Sequence, residues 1–152
     1  MNRPENAQFR TAVAATLLRF ALGVTFLAHG LLKVLVFTLP GTAAYFEQQG
    51  FPGILAYPVA GGEIAGGLAL LAGVLVRPAS LALLPILAGV VATVAHNGWL
   101  YGAGDDGGWE FPALLIVAVL VQALLGPGLL ALGPAVSRRR ERSRRRVAIA
   151  TA

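Results

Sequence analysis

Four long apolar runs alternate with short polar segments along this chain of 152 residues. The runs cover residues 11–39, 54–76, 79–96 and 110–132. A transmembrane α-helix needs about 17–25 apolar residues to cross a bilayer core of roughly 30 Å, and each run is long enough. The pattern therefore predicts an all-α integral membrane protein, built as a bundle of four transmembrane helices.

The segments between the runs contain the residues that favour turns and loops. Pro40-Gly41 and Pro52-Gly53 mark a predicted loop over residues 40–53, and Arg77-Pro78 is a predicted two-residue hairpin tip. Residues 97–109 form a glycine-rich loop. We therefore expect consecutive helices to run up and down through the membrane with short connections.

The composition agrees with a membrane class. The chain is 57% hydrophobic and 12% charged, whereas a soluble domain carries roughly 25% charged residues. Four such runs in a soluble bundle would leave almost no polar face for water. Arg19 and Lys33 interrupt the first run, which argues against a cleaved signal peptide. The chain has no cysteine, and this excludes thiol chemistry and Cys-ligated zinc or iron–sulfur clusters.

The positions of lysine and arginine predict the orientation of the helices. Arg3 and Arg10 precede the first run, Arg77 joins the second run to the third, and seven of the twelve basic residues lie in residues 137–146. The other two connections hold no Lys or Arg and three acidic residues. We therefore expect residues 1–10 to be a cytoplasmic N-terminus and residues 133–152 a basic cytoplasmic tail. That tail is expected to contact anionic lipid, with no nucleic-acid partner.

Five ionisable side chains lie within the runs or at their outer ends, where a bilayer makes charge expensive. With the predicted topology they all fall in the outer half of the membrane: His29, Lys33, Glu63, His96 and Glu110. One hypothesis is a polar pocket there that binds a polar head group or relays protons.

A second hypothesis is a structural ion pair between the first two helices. Glu63 would pair with Arg19 or with Lys33, because a nearby cation keeps a carboxylate ionised. Gly62, Gly66 and Gly67 flank this glutamate and predict a face of small residues that lets another helix backbone come close.

Other ligands receive less support from the residues. His29 and His96 lie at one predicted level on two helices, so they could ligate a haem, or a zinc ion together with a glutamate. Nothing else in the sequence supports either group, and we predict no metal site. Trp99, Tyr101 and Trp109 are predicted to form an aromatic belt at the membrane interface.

Several short motifs occur in an order that resembles a known family. They surround the arginine, histidine, glutamate and tryptophan residues of the four runs: Arg19-Phe20-Ala21-Leu22-Gly23, His29-Gly30-Leu31-Leu32-Lys33, Gly62-Glu63-Ile64-Ala65-Gly66-Gly67, His96-Asn97-Gly98-Trp99 and Trp109-Glu110-Phe111-Pro112. Taken together, over residues 18–132, they resemble the DoxX family of small bacterial membrane proteins. The resemblance implies a four-helix bundle in the bacterial plasma (inner) membrane and an association with oxidoreductase systems.

Three functions follow as hypotheses. The first is a membrane subunit of an oxidoreductase that binds a quinone-like head group, since a quinone carbonyl needs hydrogen-bond donors and protons during reduction. Its electrons would come from a soluble or membrane redox partner. The second is a non-catalytic anchor or scaffold for a soluble redox or stress enzyme. The third is a transporter for a small molecule, for which four spans are few unless the chain forms a homo-oligomer.

Overall fold

The computed structural model describes residues 3–100 and 107–133, and every regular element in that part of the chain is helical. The five α-helices are α1 (Arg3–Leu31), α2 (Leu39–Gln48), α3 (Ala56–Ala72), α4 (Val76–Val94) and α5 (Glu110–Leu125). A π-helical turn, Leu32–Val36, extends α1, and 3-10 turns at Gly53–Leu55 and Ala95–Asn97 precede α3 and follow α4. The all-α prediction is confirmed for the described residues.

Three helical stretches in the described part of the chain are long and apolar enough to cross a membrane: Glu5–Val36, Gly53–Ala72 and Val76–Asn97. The fourth, α5, has 16 residues. At 1.5 Å per residue it measures about 24 Å, which is less than the bilayer core of roughly 30 Å. The fourth span therefore stays a prediction, as does the orientation of the termini.

The four long helices pack side by side around a common apolar core. Helix α1 packs against α3 and α5, and α4 packs against the same two helices from the other side. The core side chains come from all four helices: Leu22, Phe26, Leu70, Val76, Leu83, Leu87 and Val119. Many other large apolar side chains face outward, which suits contact with lipid better than contact with water.

Glycines bring α1 and α3 into close antiparallel contact. A Cβ atom on Gly67 would lie 2.6 Å from the backbone nitrogen of Leu27, and one on Gly30 would lie 2.7 Å from Cγ1 of Ile64. Gly62 and Gly66 instead face side chains of α4. The three glycines predicted to form one face therefore divide between two helices, and only Gly67 meets a neighbouring backbone.

The predicted loop over residues 40–53 is wrong, because it contains helix α2. Thr38 caps this helix, and its hydroxyl oxygen accepts a hydrogen bond from the backbone nitrogen of Gly41 at 3.3 Å. Pro40 lies in the first turn, where a backbone N–H has no partner within the helix and its loss costs little. The Pro40-Gly41 pair therefore belongs to a helix start.

The break between α3 and α4 also differs from the predicted hairpin tip at Arg77-Pro78. Gly73 ends α3 with φ of 68°, and Leu75 precedes α4 with φ of 50°, so the chain turns between these residues. Pro78 lies in the first turn of α4, where proline is tolerated. The sequence pattern located the turn three or four residues too late.

The outermost helix ends differ as well. Helix α1 begins at Arg3, so the polar residues before the first apolar run continue its helix. Helix α5 ends at Leu125, because Gly126 and Gly128 take positive φ values of 80° and 63° on either side of Pro127. The predicted basic tail lies outside the described residues apart from Gly133.

Candidate functional site

The centre of the site is an ion pair between Lys33 and Glu63. The Lys33 Nζ atom lies 2.8 Å from both carboxylate oxygens of Glu63. The two side chains are 18% and 5% exposed, and no other ion pair occurs within residues 3–100 and 107–133. Lys33 lies just beyond α1 and Glu63 lies within α3, so the pair joins two helices. A charge this deep is tolerated because its partner is present.

The π-helical turn positions Lys33 and leads into α2. The N–H of Phe37 donates to the carbonyl oxygen of Leu32 at 2.9 Å, which closes the wider turn. The buried hydroxyl of Thr42 then donates to the carbonyl oxygens of Lys33, at 3.2 Å, and of Thr38, at 3.0 Å. Helix α2 is therefore tied to the backbone of the residue that carries the ammonium group.

A cavity of about 560 Å³ lies between the end of α1 and helix α2. Eight residues line it, and they combine polar and large apolar side chains: His29, Leu32, Lys33, Phe37, Gly41, Thr42, Tyr45 and Phe46. An ammonium group has three donors, of which Glu63 takes two, so one donor of Lys33 has no partner among the described residues. Few polar groups among apolar walls are typical of small-molecule sites.

The structure brings together three of the five ionisable residues that the sequence singles out. His29 and Lys33 line the cavity, and Glu63 holds the ammonium group of Lys33. His96 is exposed in the 3-10 turn after α4. Glu110 begins α5 and borders a separate recess of about 490 Å³ beside Trp99. The five residues therefore do not converge on one site, because neither His96 nor Glu110 lines the cavity.

This division bears on haem and zinc, the two alternatives that the sequence raised for the pair of histidines. His29 lines the cavity beside α2, whereas His96 does not. In the described part of the chain, no three His, Asp or Glu side chains come together as a metal site would require. The two histidines therefore gain no geometric support as a pair of ligands.

Arg19 is fully buried and is held by backbone carbonyl groups. Its two terminal nitrogens donate at 2.8–3.3 Å to four carbonyl oxygens, those of Leu70, Leu71, Leu129 and Leu130. The first two belong to the last turn of α3, where the helix dipole is negative and carbonyls lose their regular α-helical partners, although that of Leu70 also accepts from the backbone N–H of Gly73 at 3.1 Å. Arg19 thus holds the segment after α5 against α1 and α3.

The predicted pairing of Arg19 with Glu63 is corrected by these contacts. Arg19 lies level with Leu70, seven residues further along α3 than Glu63, or about 10 Å along a helix axis. Glu63 takes Lys33 instead. Arg19 and Lys33, the two cations of the first run, therefore make their contacts at different levels along the bundle axis.

Sequence reasoning missed the wall of the cavity that α2 provides. Thr42, Tyr45 and Phe46 lie on this helix, and they went unnoticed because residues 40–53 were predicted as a loop. The available signal was Thr38 two residues before Pro40, since a capping residue followed by proline is typical of a helix start.

The belt of aromatic residues stays a prediction, although Trp99 and Trp109 do pack edge to face with centroids 4.4 Å apart. Tyr101 lies outside the described residues.

Three long apolar helices with an outward-facing apolar surface indicate a helical membrane protein. The family model for DoxX matches residues 14–97. A protein of Bacillus subtilis (strain 168) named "Putative oxidoreductase CatD" is 32% identical over 124 residues, which cover 82% of this chain and 87% of that protein. The chain belongs to the DoxX family, as its motifs indicate. No solved structure gives a significant match.

Proposed function

We propose that this protein is a membrane subunit of an oxidoreductase system and that the cavity beside Lys33 and Glu63 binds a quinone-like head group. The observation that carries the proposal is an ammonium group with one free donor, held in place at a cavity with apolar and aromatic walls. Membership of the DoxX family and the name of the Bacillus subtilis relative, a putative oxidoreductase, support the link to oxidoreductases.

The chemistry assigned to the site is the handling of charge and protons. Reduction of a quinone to a quinol takes two electrons and two protons, and negative charge grows on the carbonyl oxygens as the electrons arrive. The ammonium group of Lys33 donates a hydrogen bond to one such oxygen, and His29 is a second donor within the same cavity. Glu63 keeps Lys33 oriented. A soluble or membrane redox partner supplies the electrons.

The proposal includes a topology in the bacterial plasma (inner) membrane. Helices α1, α3, α4 and α5 cross the membrane, both termini are cytoplasmic, and the cavity lies in the outer half. The fourth crossing is supported by the packing of α5 against both α1 and α4, and by the chain after α5 that returns to Arg19. Membrane lipid surrounds the bundle, and a homo-oligomer is compatible with its apolar outer surface.

A photoreactive short-chain quinone tests the site directly in the full chain reconstituted in nanodiscs. We expect the label in peptides covering residues 29–46, competition by unlabelled quinone, and a loss of at least tenfold in labelling of Lys33→Met. Glu110→Gln is the matched control, because Glu110 borders the separate recess, and it should label as the wild type does. Labelling that is unchanged in Lys33→Met would overturn the proposal.

A scaffold for a soluble redox or stress enzyme is a second candidate. The observation that favours it is that the Lys33–Glu63 pair already joins α1 to α3, so it has a structural role without any ligand. A soluble partner that copurifies equally with wild type and Lys33→Met, in a protein that no quinone labels, would support this candidate.

A further inference from the structure

Three buried polar atoms in the described residues have no hydrogen-bond partner: Nε of Arg19, Oγ of Ser80 and Oε1 of Gln122. All three residues are fully buried. An apolar interior offers such atoms no compensation, and a bilayer around the bundle makes their cost larger. Three buried atoms without hydrogen-bond partners therefore indicate a bound molecule that forms hydrogen bonds with them.

The three residues lie at the same end of the bundle. Arg19 binds the last turn of α3, and α4 begins only four residues after that helix ends. Ser80 follows one turn into α4, on the buried face with Val76 and Leu83.

Gln122 reaches the same level from α5. Its Nε2 atom donates to the carbonyl oxygen of Gly126 at 2.7 Å. A Cβ atom on Gly126 would lie 3.3 Å from Nε of Arg77, so the end of α5 packs against the start of α4. Ser80 and Gln122, each about one turn inward from this contact, therefore occupy facing positions on neighbouring helices.

The free atoms are complementary in chemistry. The Nε–H of Arg19 is a donor, the amide oxygen of Gln122 is an acceptor, and the hydroxyl of Ser80 is both. A water molecule offers two donors and two acceptors, and buried waters typically make about three hydrogen bonds to otherwise unpaired groups. An anion fits less well, because the amide oxygen of Gln122 would repel it.

We propose that Arg19, Ser80 and Gln122 form a binding site for buried water, which links α1, α4 and α5 at the end of the bundle opposite the cavity. The site is independent of the quinone proposal, since it shares no residue with that cavity. In this layer of the bundle, hydrogen bonds to water link the helices. In the layer of Lys33 and Glu63, a direct ion pair links them.

Nuclear magnetic resonance on the full ¹⁵N-labelled chain in deuterated detergent detects such water. We expect a rotating-frame Overhauser cross-peak between water and the side-chain amide of Gln122, and its loss in Ser80→Val, which fills the space of the hydroxyl with a methyl group. The backbone amide of Val119, one turn further into the apolar core, should show no such peak. Absence of the Gln122 peak in the wild type would overturn the water site.

Thermal unfolding of paired variants gives a second readout. Ser80→Ala and Gln122→Met should each lower Tm, and the double variant should lower Tm by less than the sum, because both singles remove the same bridge. Ser80→Ala with Thr25→Val is the control pair and should be additive, since Thr25 bonds only to Ala21 on an exposed face. Additive effects for Ser80 and Gln122 contradict the proposal. Coupling without a water cross-peak also overturns it, as this would indicate a direct hydrogen bond.

Discussion

Each end of the bundle contains a cation, and the two cations have different hydrogen-bond partners. Arg19 is 0% exposed and gives both terminal nitrogens to four backbone carbonyl groups. Lys33 is 18% exposed, pairs with one carboxylate and keeps a donor at the edge of a cavity. A charge inside an apolar bundle can therefore hold backbone segments together, as Arg19 does through its two terminal nitrogens, or join two helices beside a cavity, as Lys33 does.

The largest effect should follow removal of the Arg19 guanidinium. Arg19→Met leaves the carbonyl groups of Leu71 and Leu130 without a donor, whereas those of Leu70 and Leu129 keep a second one. A buried group that loses its hydrogen bond costs about 1–3 kcal/mol, so we expect a total loss of about 4 kcal/mol. Thermal unfolding in mild detergent measures it. Arg10→Met is the control at an exposed position of the same helix and should unfold as the wild type does. Equal melting temperatures would contradict the holding role of Arg19.

A double-mutant cycle on Lys33 and Glu63 should give the next largest effect. Breaking a buried pair on one side costs about 3–5 kcal/mol, and we expect roughly 2–3 kcal/mol here because water in the cavity can reach the remaining charge. Lys33→Met with Glu63→Leu should be less destabilised than the sum of the two singles, because neither charge is then left alone. Chemical unfolding of all four proteins measures the coupling. Purely additive losses would mean that the pair does not form.

The close packing of α1 on α3 is tested by two glycines of the same helix. Gly67→Ala forces a methyl group against the backbone of Leu27, and we expect a loss of about 1–3 kcal/mol from overpacking. Gly61→Ala has open space around the new methyl group and should gain up to about 1 kcal/mol from better helix propensity. Thermal unfolding compares the two variants. A neutral Gly67→Ala would show that the helices are further apart.

The smallest effect is expected for Thr42→Val, which removes the hydroxyl that binds the carbonyl groups of Lys33 and Thr38. We expect a loss of about 1 kcal/mol in stability. Because the turn that carries Lys33 is loosened, quinone affinity should also fall, by up to about fivefold, the equivalent of 1 kcal/mol. Titration of Thr42→Val and Thr25→Val with the same quinone measures this. Thr25→Val is the control that shows the effect of losing a threonine hydroxyl elsewhere. Equal affinities in the two variants would remove Thr42 from the site.

Much of the fold could be predicted because apolar runs and glycine spacing report directly on helices and their contacts. The sequence shows that Arg19 is a charge within an apolar run, but it does not show which groups Arg19 contacts. Its partners are carbonyl groups of Leu70 and Leu129, and a backbone carbonyl carries no sequence signal. The sequence favoured a carboxylate, Glu63, because paired charges are the more familiar solution.

The candidate site could be predicted only in part, for a similar reason. Lys33 and Glu63 stand out as charges within apolar runs. Helix α2 was missed because its Pro-Gly pair is typical of a turn. His96 and Glu110 share a predicted depth with Lys33, but neither of them lines the cavity. Depth follows from position along a helix, while the side of the bundle depends on how the helices pack around one another.

The cavity beside Lys33 is tested most directly by the amount of quinone that the protein retains when it is purified in mild detergent from its native membranes. We expect extractable quinone approaching one molecule per chain in the wild type and in Arg10→Met, and at least a tenfold loss in Lys33→Met of equal yield and folding. Quinone absent from the wild type, or retained equally by Lys33→Met, would contradict the assignment of the cavity.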